Sequence, residues 1–125
     1  MVTAKRVYEP YTSSDGFRVL VDRLWPRGIS KATGHIDLWL KDVAPSNELR
    51  AWYGHDPAKW AEFRTRYTSE LREAPAKEAL DELLRHARRG RVTLLYSSRA
   101  EDINNATVLE KIVNRRLKRA SSRSG

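Results

Sequence analysis

Two runs in this chain are apolar without the alternation of a half-exposed strand: Val19-Leu20-Val21 and Val92-Thr93-Leu94-Leu95-Tyr96. Runs of this kind are what strands show when both faces of a sheet are covered. The first predicts a strand over residues 17–24, the second a strand closed by Ser97-Ser98-Arg99. Lys5-Arg6-Val7-Tyr8 predicts another short strand, closed by Pro10 and the turn Ser13-Ser14-Asp15-Gly16. His35-Ile36-Asp37-Leu38-Trp39-Leu40 alternates polar and apolar, which predicts a half-exposed strand, with a short helix as the alternative.

Between these runs the period changes. Ser46 is placed to cap a short helix that carries Leu49, Trp52 and Tyr53 on one face. Gly54-His55-Asp56-Pro57 is a stop followed by a start: Asp56 can cap, and proline suits a first helical turn because no amide donor is needed there. Trp60, Phe63, Tyr67 and Leu71 then form an apolar stripe on a helix expected over about residues 57–73. A helix from about residue 75 carries Leu80, Leu83, Leu84 and Ala87 and ends before Gly90 among arginines. Ser98 with Glu101 fits a capping box for a last helix, with Asp102 and Asn104 as other possible starts. Val108, Leu109, Ile112, Val113 and Leu117 line its apolar face. Strands separated by helical stretches imply an α/β class: a single-domain layered fold with a mainly parallel sheet flanked by helices. The domain is expected over residues 1–118, with 119–125 as a basic, disordered tail that has nothing apolar to bury.

Composition narrows the function classes. The chain of 125 residues is 40% hydrophobic, enough for one core, and no apolar run approaches a membrane span. It has no cysteine, which excludes disulfides, thiolate catalysis and thiolate metal ligands and fits a reducing cytoplasm. No signal-peptide pattern is visible. The net charge of +8 is concentrated: Arg115, Arg116, Lys118, Arg119 and Arg123 leave +3 on the rest of the chain. A second cluster, Arg85, Arg88, Arg89 and Arg91, surrounds a predicted helix end. Solvated charge is the plain reading, and a nucleic-acid surface is the functional one.

In parallel sheets, ligands gather beyond the carboxyl ends of the strands. Two buried strands here end in polar clusters, Asp22-Arg23-Leu24-Trp25-Pro26-Arg27-Gly28 and Ser97-Ser98-Arg99. If these strands are parallel neighbours, Arg23, Arg27, Ser97, Ser98 and Arg99 converge into an anion site for phosphate, sulfate or carboxylate. Asp22 is then the candidate to orient an arginine or to act as a base; bracing of a strand end is the alternative. Ser97 and Ser98 are more plausible as caps than as nucleophiles, because no histidine is close in sequence. His35, His55 and His86 fit no metal-ligand spacing, and neither a dinucleotide fingerprint nor a Walker loop is present, so no metal or cofactor is expected. Trp25, Trp39, Trp52 and Trp60 could stack a ring, but core packing is the simpler role.

The segments Lys5-Arg6-Val7-Tyr8, Asp15-Gly16-Phe17-Arg18-Val19-Leu20-Val21-Asp22-Arg23-Leu24-Trp25-Pro26-Arg27-Gly28, Pro45-Ser46 with Glu48-Leu49-Arg50, and Thr93-Leu94-Leu95-Tyr96-Ser97 resemble the YeaO-like branch of DUF488, a family of unknown function. The resemblance covers roughly residues 5–117 and implies a small cytoplasmic bacterial α/β protein. Longer members of the family carry a cysteine-containing segment after the second of these strands and then a Cys-His-Arg element, a layout comparable with rhodanese-type anion loops. Tyr96-Ser97-Ser98 and Asn104-Asn105-Ala106 stand in those regions here, so a thiol or sulfur-transfer role is removed while Asp22, Arg23, Pro26 and Arg27 remain.

The expectation is therefore an anion-binding α/β protein with an anionic small molecule, phosphorylated in one form of the idea, as its partner. The alternative is a non-catalytic nucleic-acid-binding accessory module that uses the basic helix end and tail. A scaffold role built on the tryptophan-rich middle is a third reading.

Overall fold

Val19, Leu20 and Val21 are fully buried because the strand they form is central in a sheet covered on both faces. The computed structural model describes residues 1–124, and side chains through Ala120. Among them, β1 (Val2–Arg6), β2 (Phe17–Leu20), β3 (Leu38–Trp39) and β4 (Val92–Tyr96) form one sheet in the order β1-β4-β2-β3. Every pairing is parallel, with Val92 opposite both Val2 and Phe17. The two strands with polar ends are thus adjacent and in register.

The helices are α1 (Asn47–Tyr53), α2 (Trp60–Glu70), α3 (Ala76–Arg89) and α4 (Asn105–Ser124). Their buried residues join Val2, Val19, Val21, Val92, Leu94 and Tyr96 in the main core. These strand positions alternate, as period 2 requires for residues sharing a face. The other face carries Val7, Leu20 and Leu95, and is covered by Trp25, Ile29, Ile36 and Trp39. Among the described residues no helix contributes to that smaller cluster: a loop, rather than a helix layer, covers the second face.

Several boundaries differ from the sequence expectation for visible reasons. β1 starts at Val2, whose amide donates to the Asn114 side-chain oxygen and whose carbonyl accepts from the Asn114 amide, both long-range clamps. Its ladder reaches Val7, whose amide donates to Tyr96. β2 stops pairing after Val21, since the chain turns away at Asp22. In residues 35–40 only Leu38 and Trp39 form strand; His35, at φ +52, breaks the extended run. Ser46 caps α1 through Leu49 as expected. Asp56 accepts from the Ala58 amide, but it caps a separate 3-10 turn, Pro57–Lys59, and α2 begins only at Trp60. At the last helix, Asn104 accepts from the Thr107 amide and is the cap chosen among the alternatives, while Ser98 caps only a local turn at Ala100. The expected tail of residues 119–125 falls on the last turns of α4 and on Gly125, which lies outside the described residues.

Candidate functional site at the strand ends

Past the carboxyl ends of β1, β2 and β4 the chain leaves a cavity of about 890 Å3. Each wall comes from a segment that follows a strand or opens a helix. Arg6 ends β1, residues 22–27 follow β2, residues 97–99 follow β4, and Asn104 and Asn105 open α4. Asn47 and Arg50 add the α1 side, and the buried rings of Tyr53 and Phe63 form part of the floor. Every residue named from sequence as a site candidate (Asp22, Arg23, Arg27, Ser97, Ser98 and Arg99) lines this one cavity.

The roles within it differ from the simplest expectation. Asp22 pairs with no arginine among the described residues. Its Oδ2 accepts from the Ser97 amide at 2.8 Å and the Ser97 hydroxyl at 2.9 Å, and Oδ1 accepts from the Asn105 amide at 3.3 Å. Asn105 also donates to the Val21 carbonyl at 2.9 Å. One carboxylate therefore joins the β2 end, the β4 end and the start of α4. Trp39 donates its indole N–H to the Asp22 carbonyl at 2.8 Å, which fixes the backbone of the same residue.

Arg23 reaches across to the segment before α1, donating to the carbonyls of Ala44 at 3.2 Å and Pro45 at 3.4 Å. Arg6 does the same for the β4 loop, through the carbonyls of Ser98 at 3.0 Å and Ser97 at 3.2 Å, and lies over the Tyr8 ring. Tyr8 in turn donates its hydroxyl to the Arg27 carbonyl at 2.9 Å. Among the described residues these two arginines have no carboxylate partner, so their charge is oriented without being neutralised. Arg27 and Arg99 are exposed, and neither side chain has an ion-pair partner among the described residues.

Hydroxyl protons are also settled by this network. Ser97 donates its proton to Asp22, so it has none for a ligand. Ser98 accepts from the Ala100 amide, which leaves its own proton available. Sequence reasoning missed Arg6, Arg50 and Asn105. Arg6 looked like a strand residue and Arg50 like a helix-surface residue, while the only hint at Asn105 was the polar pair Asn104-Asn105 before an apolar stripe. Of the tryptophans only Trp25 touches the cavity, and its indole is held by the Ile29 carbonyl at 2.7 Å. No group of histidine and acidic side chains among the described residues could hold a metal ion.

A four-stranded parallel sheet with helices on one face and an arginine-rich cavity at its strand ends defines a small α/β domain of the kind the sequence resemblance implied. The chain belongs to the DUF488 family: the model described as "Inactive DUF488-N3 subclade" matches residues 1–125. An uncharacterized protein of Mycobacterium tuberculosis strain H37Rv is 44% identical over 115 residues, 92% of this chain and 95% of that protein. The uncharacterized protein YeaO of Escherichia coli K12 is 43% identical over 108 residues, 86% of this chain and 92% of YeaO. No solved structure matches the chain. Among the described residues no helix is long and apolar enough to cross a membrane.

Proposed function

We propose that the strand-end cavity binds an anionic small molecule of phosphate-like chemistry, and binds it without turning it over. The observation that carries this reading is the charge of the wall. Arg6, Arg23, Arg27, Arg50 and Arg99 line the cavity against a single carboxylate, Asp22, whose oxygens are occupied by Ser97 and Asn105. Like charges around one partly desolvated cavity repel, and a seated anion relieves that repulsion. Arg27 and Arg99 supply guanidinium forks without an ion-pair partner among the described residues, which suit the oxygens of phosphate or carboxylate. Ser98 adds a hydroxyl donor, and the positive end of the α4 dipole faces the same space.

Asp22 acts here as a positioning residue, because its hydrogen bonds hold three segments of the wall together. The description of the matching family model as inactive, and the lack of any cysteine, favour binding over catalysis. A nucleic-acid role would use a different surface, since none of Arg85, Arg88, Arg89 and Arg91 lines the cavity.

Calorimetric titration of the chain with inorganic phosphate, pyrophosphate and sugar phosphates tests the reading. Binding is expected, and Arg27→Ala should weaken it about tenfold, the loss of one charge-assisted hydrogen bond. No heat with any of these anions, or full binding by Arg27→Ala, overturns it.

A further inference from the structure

Two basic clusters that the cavity does not use lie at the opposite end of the sheet. α4 starts at the cavity, and its Asn114 clamps the backbone of Val2, the first residue of β1. The second half of α4 therefore lies at the starting edge of the strands. α3 finishes at the same edge: His86 stacks on Phe17, the first residue of β2, at 4.4 Å, and the Phe17 amide donates to the Arg91 carbonyl at 3.0 Å. α3 also packs against α4. Two clusters distant in sequence thus share one edge of the sheet: Arg85, Arg88, Arg89 and Arg91 with Arg115, Arg116, Lys118 and Arg119.

All eight side chains are exposed, and none forms an ion pair among the described residues. The last acid on α3 is Glu82 and the last on α4 is Glu110, so each run is purely basic beyond those points. Complementing the helix dipoles does not account for them. Two helix C-termini carry about half a negative charge each, roughly one charge against eight.

We propose that this edge docks the phosphate backbone of double-stranded nucleic acid, independently of the strand-end cavity. Helices in contact lie about 10 Å apart, so two rows of cations on them are commensurate with the phosphate rows bordering a groove about 12 Å wide. Single strands are bound by stacking bases on open aromatic rings. Each exposed tyrosine already has one ring face taken, Tyr8 by Arg6 and Tyr11 by His35, and Tyr8 lines the cavity at the other end of the sheet. A membrane surface calls for large apolar side chains beside the cations. Among the described residues the exposed large apolar groups are Met1, Tyr8, Tyr11 and Leu24, and none lies within either basic run.

Fluorescence anisotropy with a labelled 20-base-pair duplex of arbitrary sequence, from 50 to 200 mM salt, tests the proposal. Affinity should fall log-linearly with salt. The pairs Arg88→Ala/Arg89→Ala and Arg115→Ala/Arg116→Ala should each flatten the slope by about 1 to 2 and weaken binding about tenfold at low salt. Lys31→Ala/Lys41→Ala removes the same charge from the loop side and should leave the slope unchanged. Thermal melts of all variants should coincide with the parent, as expected for exposed side chains. Absence of binding at 50 mM salt, equal losses in the lysine pair, or tighter binding to a single strand or to anionic vesicles overturns it.

Discussion

Asp22 and Ser97 stand 75 residues apart, yet one oxygen of Asp22 accepts both the amide and the hydroxyl of Ser97, at 2.8 and 2.9 Å. This two-point contact ties the loop after β2 to the loop after β4. With Asn105 on the other oxygen, it makes the cavity wall a single hydrogen-bonded unit.

Replacing Asp22 therefore tests architecture as much as function. Asp22→Ala leaves the partly buried Ser97 amide without its acceptor and removes one of the two acceptors of the Asn105 side chain. The expected loss is about 1–3 kcal/mol, from the cost of unmade hydrogen bonds. For a chain of this size that lowers the melting temperature by about 4 °C per kcal/mol. Asp22→Asn keeps one acceptor oxygen and should lose less. A melt of Asp22→Ala that coincides with the parent would contradict the bracing role.

Arg23 and Arg27, four residues apart in one loop, should separate stability from binding. Arg23 bridges the Ala44 and Pro45 carbonyls, whereas the Arg27 side chain is exposed and unpaired among the described residues. Arg23→Ala should cost about 1–2 kcal/mol in urea unfolding as well as weakening anion binding. Arg27→Ala should change stability by no more than about 0.5 kcal/mol while weakening binding. Equal stability losses in both variants would show that Arg27 too is structural.

Much of this was readable from the chain, and the exceptions share a cause. The uninterrupted apolar runs at 19–21 and 92–96 announced strands covered on both faces, and their polar ends announced the cavity. Ser46 and Asp56 announced caps through short-range chemistry. Long-range contacts carried no such signal. Nothing near Val2 predicts that Asn114 will clamp it, and nothing near Arg6 predicts that it will hold the carbonyls of Ser97 and Ser98. The loop that covers the second face of the sheet has no period of its own over residues 25–34, so Trp25 and Ile29 showed no pattern that would place them over Leu20 and Leu95.

Gly16 is a position where the backbone demands glycine twice over. Its φ of +68° lies in the left-handed region, and a Cβ there would collide with the carbonyl oxygen of Arg91. That carbonyl cannot retreat freely, since it accepts the Phe17 amide that opens β2. Gly16→Ala should cost about 3 kcal/mol, combining strain of about 1–2 with an overpacking penalty. Gly28 offers the control, with φ +76° but nothing within 4 Å of a Cβ. Gly28→Ala should cost only the strain, about 1 kcal/mol. Chemical denaturation of the two variants compares them directly; equal losses would remove the clash at Arg91 from the account.

Acid sensitivity should originate at Asp15, behind the sheet and away from the cavity wall. Burial alone would raise this carboxyl, but hydrogen bonds from Lys5, Thr12 and Arg18 outweigh it and hold the group well below its ordinary value of 3.8. Arg18 is itself only 2% exposed, and its guanidinium also donates to the His35 carbonyl at 2.8 Å. A carboxyl depressed in the folded state adds stability that is fully present above the ordinary value and lost as pH falls toward the folded one. Urea unfolding should therefore show stability declining as pH drops below about 5. Lys5→Met removes one of the three partners, so the folded value moves back toward 3.8 and the decline becomes shallower. Asp15→Asn leaves the buried Arg18 charge without its carboxylate and should cost about 3–5 kcal/mol at neutral pH. A parent protein whose stability is flat from pH 5 down to 2 would show that this ion-paired carboxylate contributes nothing to holding the loop before β2 against the sheet.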